Sequence, residues 1–304
     1  MKRVKSAVIS SKVDLMLLVV AIFWGSSYLA AKNITPFASI PGMLSVRFGV
    51  ATIILLVIYA FRRDRFSRDD WVLGALYGFA LAVIMSVETT GLSITSATNA
   101  GLIISLTIIF TPIIESAWNR NWLPKPFFVA AVGAIVGVAL LVGGNGLRSP
   151  NWGDLLMLLA AVLRAVNTAA QGKLTFGKKV SSFNLTVMQT AFAGVAFFLI
   201  DPSGTVEAVQ TFGPAQWANI FYLAVFCTVF GFIVLMWGIR KTSASRASLL
   251  LSTEPVWAVV VAVSFGGEQL YILGFVGAVM IIGSSYIGLG IENRHRGAAT
   301  QGSA

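Results

Sequence analysis

Basic residues in this chain recur after every second apolar run, and that spacing dictates a membrane-spanning bundle with a single orientation. Lys2, Arg3, Lys5 and Lys12 precede the first run, Arg62, Arg63, Arg65 and Arg68 follow the second, and Arg120 and Lys125 follow the fourth. Lys173, Lys178 and Lys179 follow the sixth, Arg240, Lys241 and Arg246 the eighth, and Arg294 and Arg296 the tenth. The alternate connections, around 33–40, 93–97, 143–151, 201–214 and 266–271, contain Arg148 alone. Lysine and arginine are retained on the cytoplasmic side, so the pattern predicts ten spans with both termini cytoplasmic.

A charged fraction of 11% and a mean hydropathy of +0.83 set the chain apart from soluble domains, in which about 25% of residues are charged. Each apolar run reaches the length, about 18 to 24 residues, at which a helix crosses the hydrocarbon core with its backbone hydrogen bonds satisfied internally. The net charge of +10 would suit nucleic acid. However, 18 of the 22 lysines and arginines are those at the boundaries. Membrane orientation accounts for them, and no nucleic-acid partner is expected. Cys227 is the only cysteine and His295 the only histidine, so no intrachain disulfide, zinc cluster or Cys/His dyad can form, and neither cofactor nor metal is expected. The basic start resembles a signal peptide, but further spans follow the long first run, which reads as an uncleaved helix.

The expected spans are 14–31, 40–60, 71–93, 98–118 and 126–144, then 153–173, 183–200, 216–238, 246–265 and 272–291. A shift of 147 residues lays Thr95-Ser96-Ala97-Thr98-Asn99-Ala100-Gly101-Leu102 over Thr242-Ser243-Ala244-Ser245-Arg246-Ala247-Ser248-Leu249. Both octets open a helix later interrupted by proline, Pro112 in one half and Pro255 in the other. A duplication with five spans per copy inserts its copies from opposite sides. The expected fold is therefore an all-α membrane protein of two inverted five-helix repeats, 13–144 and 151–291, around a central cavity.

The order of short motifs resembles the drug/metabolite transporter superfamily, specifically its EamA-like exporters, over essentially Val13 to Ile291. The motifs are Phe23-Trp24-Gly25-Ser26-Ser27 with Lys32, Pro41 with Arg47, and Thr98-Asn99-Ala100-Gly101 before Pro112. The second half adds Gly153-Asp154-Leu155, Glu254-Pro255 and Gly267-Glu268. This resemblance implies a pore between the halves lined by spans one, three, four, six, eight and nine, with five and ten peripheral. It also implies an aromatic residue in the sixth span near the position matching Trp24, where this chain carries Arg164.

Arg164, Asn167, Thr168 and Gln171 are spaced by three, four and seven, and share one helical face. A cation in mid-span costs about 2.5–3.5 kcal/mol and faces protein or water. Arg164 either holds a substrate carboxylate, for which its planar fork is suited, or pairs with Glu88 or Glu254. Arg47 either gates the pore and binds an anion, or ties helices together near the outer surface. Ser86, Thr89, Thr90 and Ser93 form a polar stripe on the third span. Glu88 and Glu254 are candidates for proton coupling, or for neutralising an arginine. Glu115 and Glu268, near span ends, are expected to be wet.

Trp24 and Tyr28, one turn apart, suit a cavity wall for an amphipathic ligand. Trp257 fits such a wall or the packing equally. Trp71, Trp118, Trp122, Trp152 and Trp217 fall at boundaries and read as interfacial anchors. Pro112 and Pro255 each remove an amide and clash four residues back, at Ile108 and Leu251, which predicts kinked gating helices. Gly133 and Gly137 form a small-xxx-small pair for packing within the chain.

These readings converge on an exporter of small organic metabolites in the bacterial inner (cytoplasmic) membrane, working by alternating access and functional as a monomer. Its expected substrates are amino acids, aromatic and other apolar ones first. Arg164, Asn167, Thr168, Gln171, Trp24, Tyr28, Ser86, Thr89 and Ser252 are the expected substrate contacts. Drug or other metabolite efflux is the alternative within the same fold. A membrane-embedded enzyme lacks its parts, since no Ser/His/Asp set, HExxH or paired-Asp motif is present. A scaffold would not need polar stripes on several spans.

Overall fold

The computed structural model describes residues 2–62, 65–95, 103–143, 151–265 and 272–301, and among them every regular element is a helix. In chain order these are α1 (Lys2–Lys32), a 3-10 turn (Thr35–Phe37), α2 (Ile40–Ala60), α3 (Arg68–Ile94), α4 (Thr107–Asn119) and α5 (Lys125–Gly143). The second half contains α6 (Trp152–Thr175), α7 (Ser182–Ile200), the short α8 (Pro202–Thr211), and α9 (Pro214–Lys241), in which Leu223–Phe230 is wound as a π-helix. It closes with α10 (Ala244–Leu251), α11 (Glu254–Phe265) and α12 (Ile272–Gln301).

Local chemistry sets the helix starts. Ser67 and Asp70 form a reciprocal capping box on α3, and Asn151 and Asp154 form another on α6. Each satisfies amides that have no intrahelical partner. At the other end of α4, Arg120 takes a left-handed conformation with φ of 52° and stops the helix ahead of Pro124.

Seven helices, α1, α2, α3, α6, α7, α9 and α12, are long and apolar enough to cross a membrane. The other three expected spans differ. The fifth is a shorter apolar helix, Lys125–Leu140 by the same criterion. The fourth and ninth are not continuous. Ile103 and Ile104 are helical, Ser105 and Leu106 form a turn, and α4 resumes at Thr107. Likewise α10 ends in a turn at Ser252 and Thr253, and α11 resumes at Glu254.

The shift of 147 residues carries Ser105 onto Ser252 and Leu106 onto Thr253, so both halves break at one repeat position. Pro255, in the first turn of α11, removes the amide that would bond Leu251, which accounts for the second break. Pro112 does not account for the first. It lies inside α4, beyond the break, and the helix continues through it. The two prolines thus stand at different places relative to the breaks. The two broken helices meet at their breaks, where the Ser248 hydroxyl donates to the Thr107 carbonyl at 3.1 Å.

Packing interlocks the halves. α3 lies on α6 and α7, and the counterpart contacts, α9 on α1 and on α2, are also present. α4 packs on α6 as α11 packs on α1, while α2 meets α7 and α5 meets α12. Exchanging the halves therefore maps these contacts onto one another or onto themselves. α5 and α12 touch backbone to backbone: a Cβ at Gly137 would lie 2.8 Å from the Gly277 oxygen, in keeping with the expected small-residue seam. Large apolar side chains such as Phe79, Val129, Leu199 and Ile282 stand exposed on the outside. Lipid solvates that surface. Trp71, Trp118 and Trp152 at helix ends and Trp122 in the connection after α4 are also exposed, as interfacial anchors should be, whereas Trp217 packs between Phe212 and Phe221.

A buried ion network closes one end. Arg246 Nη2 lies 2.5 Å from Asp14 Oδ2 and Nη1 lies 3.0 Å from Glu292 Oε2, joining α10 to α1 and α12. Ser243 also donates to Glu292. Glu115, expected to be wet, instead accepts the Ala244 and Ser245 amides and the Ser245 hydroxyl at the start of α10. A carboxylate there matches the positive end of the helix.

Candidate functional site

Arg164 stands half-buried near the middle of α6, where the periodicity of the sequence places it, and two other helices converge on it. Its Nη1 is 3.5 Å from Glu88 Oε1 on α3. Its guanidinium carbon lies 5.5 Å from the centre of the Trp24 ring on α1, within cation–π range. Side-chain exposures of 21% for Arg164 and 15% for Glu88 leave the pair incompletely sealed. Glu88 Oε2 is buried with no hydrogen-bond partner among the described residues. Of the two acids weighed as partners for Arg164, Glu88 lies within ion-pair distance, even though it falls off the clearer polar stripe of α3.

Trp24 is fixed by the helix opposite. Its indole N–H donates to the Cys227 carbonyl at 2.8 Å, and its ring meets Phe232 edge-on. That carbonyl lies in the π-helical stretch of α9, where the widened turn changes the backbone hydrogen-bond pattern. Gly231 makes room for the indole, because a Cβ there would sit 2.6 Å from Trp24 Nε1. The same π-helical stretch holds Arg47, whose Nε donates to the Thr228 hydroxyl at 3.0 Å. Arg47 thus ties α2 to α9, the helix-joining alternative considered for it.

Other expected contacts are distributed unevenly. Thr168 is half-buried and donates to the Arg164 carbonyl, and Asn167 is half-buried on the same face. Gln171 is buried, with Oε1 unpartnered among the described residues. On α3, Thr89 is half-buried, and Ser86 is hydrogen-bonded to the Ala82 carbonyl of its own helix. Ser252 is engaged elsewhere. It forms the break before α11, where its hydroxyl meets Leu249 O and Ser285 of α12. Glu254 opens α11, where its charge suits the positive helix end. Trp257 Nε1 is buried without a partner among the described residues. The side chains of Tyr28 and Lys32, together with Thr98 to Gly101, Arg148, Gly267 and Glu268, lie outside the described residues.

Sequence reasoning missed the aromatic surface that α9 offers α1. Phe23 packs against Tyr222, Phe226 and Phe230, and Ser26 bonds the Tyr222 hydroxyl at 2.5 Å. Phenylalanines spread along an apolar run give no sign of which face they share with another helix. The π-helix left no signal except Gly231.

What this arrangement offers chemically is recognition. A cation, a carboxylate and an indole face meet inside a membrane bundle, and among the described residues no group of His, Cys, Asp and Glu could hold a metal.

Comparison with known proteins agrees with that reading. An uncharacterized transporter of Archaeoglobus fulgidus is 28% identical over 275 residues, which are 88% of this chain and 83% of that one. The uncharacterized transporter YyaM of Bacillus subtilis is 24% identical over 88% of this chain and 90% of its own length. The uncharacterized inner membrane transporter YedA of Escherichia coli is 23% identical over 82% and 81% respectively. A crystal structure only 16% identical in sequence superposes with a TM-score of 0.76 over 93% of this chain and 98% of that one, and so shares its fold. The sequence profile of the EamA-like transporter family matches residues 11–143 and again 151–289, and the chain therefore belongs to that family of membrane transporters.

Proposed function

We propose that this transporter exports amino acids, aromatic and other apolar ones, across the bacterial inner membrane by alternating access between two inverted five-helix repeats, 13–144 and 151–291. In this reading the ten spans comprise the seven long helices, α5 and the two broken helices, with both termini in the cytoplasm. The protein works as a monomer. Resemblance to the aromatic amino acid exporter YddG supports the substrate class. Similarity to the inner membrane transporter YedA and the basic connections of this chain support the inner membrane.

The observation that carries the proposal is Arg164, held over the Trp24 ring and beside Glu88 inside the bundle. A planar guanidinium binds a carboxylate through two parallel hydrogen bonds, and the indole offers apolar area to a substrate side chain. Asn167, Thr168 and Gln171 extend that face along α6, Tyr28 follows Trp24 on α1, and Ser86 and Thr89 on α3 complete the proposed set of contacts. The helix breaks at Ser105–Leu106 and Ser252–Thr253 supply hinges at matching positions, since unwound segments in transporters lie near the substrate.

Binding of phenylalanine and phenylalaninamide to the purified protein tests the clamp. Wild type should prefer the free acid. Arg164→Lys should weaken binding although it keeps the charge, because a fork becomes a point donor. Arg164→Ala should lose most of the acid-over-amide preference while still binding the side chain. An unchanged ratio in a stable Arg164→Ala protein would remove the clamp from the mechanism.

A further inference from the structure

Two arginine–carboxylate arrangements in this molecule differ at their carboxylates. Arg246 is filled: Nε and Nη2 donate to both oxygens of Asp14 at 2.8 and 2.5 Å, and Nη1 donates to Glu292 at 3.0 Å. That is a structural lock, with short charge-assisted bonds. Arg164 and Glu88 approach only to 3.5 Å through one atom of each. The second Glu88 oxygen is buried and accepts nothing among the described residues, although a buried carboxylate oxygen without a donor is costly. Trp24 cannot supply the missing proton, because its only N–H is committed to the Cys227 carbonyl.

We propose that the Arg164–Glu88 pair opens around a zwitterion, the substrate carboxylate going to Arg164 and its ammonium to Glu88. This deepens the amino-acid reading above and rests on it. A primary ammonium carries three donors and no acceptor, which is the complement of the orphaned Glu88 oxygen. The empty pair is neutral, and a zwitterion brings one charge of each sign, so the filled site remains neutral. A lone carboxylate brings no donor to the buried Glu88 oxygen, whereas the ammonium of a zwitterion does. Glu88 thus becomes a specificity-determining residue that rejects deaminated acids, while Arg164 rejects amides and amines. The Trp24 ring, fixed by its own hydrogen bond, holds Arg164 from one side while Glu88 is exchanged for the substrate.

The test is a binding panel on the purified full chain: phenylalanine, phenylalaninamide and 3-phenylpropionate, with melting temperatures taken alongside. Wild type should favour phenylalanine over each single-charge analogue by about 10-fold or more. Glu88→Gln should abolish the preference for phenylalanine over 3-phenylpropionate and improve binding of that acid, while Glu88→Asp should restore part of the preference. Equal weakening of all three ligands by Glu88→Gln would mean that Glu88 only supports Arg164, and would overturn the proposal. Should Glu88→Gln fail to fold, the neutral double variant Arg164→Gln/Glu88→Gln takes its place. It should bind all three ligands alike, and a surviving preference would overturn the clasp. Wild type that binds phenylalanine without discriminating 3-phenylpropionate would refute the clasp alone. Wild type that binds none of the twenty amino acids would refute the amino-acid reading itself.

Discussion

Replacing Arg246 by methionine removes the cation that two acids share, one buried and one partly exposed, and the structure sets the size and order of the consequences. The side chains of Arg246 and Glu292 are 4% and 1% exposed, whereas Asp14 is 22% exposed. Breaking a buried pair by deleting one partner costs about 3–5 kcal/mol, because the other charge is left without compensation. At about 2–4 °C per kcal/mol for a chain of this order of size, the melting temperature should fall by about 6–20 °C. Glu292 is the more deeply stranded acid, so Glu292→Gln added to Arg246→Met should recover more of the loss than Asp14→Asn does. The protein carries its own reporter, since Cys227 is its only cysteine and is fully buried. Heating with a thiol-reactive fluorophore therefore reads unfolding directly. An Arg246→Met protein melting within about 2 °C of wild type, or a stronger rescue by Asp14→Asn, would refute the reasoning from burial.

Three further outcomes follow from the same structure. On a Cys227-free background, cysteine at Ser203 should react with an impermeant reagent outside intact cells, while cysteine at Ser67 or Ala299 should not; external labelling of Ser67 would reverse the orientation. Pro255→Ala restores an amide aimed at Leu251 and should slow transport while stability holds or rises, whereas Pro112→Ala, away from its break, should slow it less; equal effects would make the break at Ser252–Thr253 irrelevant. Asp201, at the start of α8, is held below the usual carboxylate range by the Ser39 hydroxyl and then by the Gly204 amide. Its folded pKa is depressed, so its contribution is present above the unfolded value near 3.8 and is lost as pH falls through the folded value. Melting curves should thus show wild type losing its advantage over Asp201→Asn only below that range, and a gap independent of pH would contradict the assignment.

Much of the architecture is legible in the sequence because the membrane imposes it on each segment separately. Span length, flanking charge and small-residue seams are local, and so is the helical spacing that puts Arg164 on a polar face. The sequence predicts kinks at Pro112 and Pro255, not breaks at Ser105 and Ser252, although the shift that aligns Thr95 with Thr242 also aligns those two serines. Contacts between distant segments were not legible. Arg246 follows a basic connection and counts there as an orienting charge, yet it folds into a buried network. Glu115 lies near a helix end like any wet carboxylate until α10 places its amides on it. Whether Arg164 takes Glu88 or Glu254 depends on how α3 and α11 approach α6, which no spacing within one helix encodes. The π-helix of α9 lies where Trp24 meets the Cys227 carbonyl and Gly231 across two helices, a contact that no single span reveals.

The most direct measurement is counterflow of labelled phenylalanine in liposomes containing only the purified protein, with an excess of each amino acid in turn on the other side. Wild type should accumulate label against phenylalanine and other apolar amino acids, and phenylalaninamide or 3-phenylpropionate should fail to drive exchange. Arg164→Ala should reduce the phenylalanine signal to that of empty liposomes while remaining folded. Wild-type liposomes indistinguishable from empty ones across the whole panel, or an Arg164→Ala protein exchanging phenylalanine at the wild-type rate, would contradict the account.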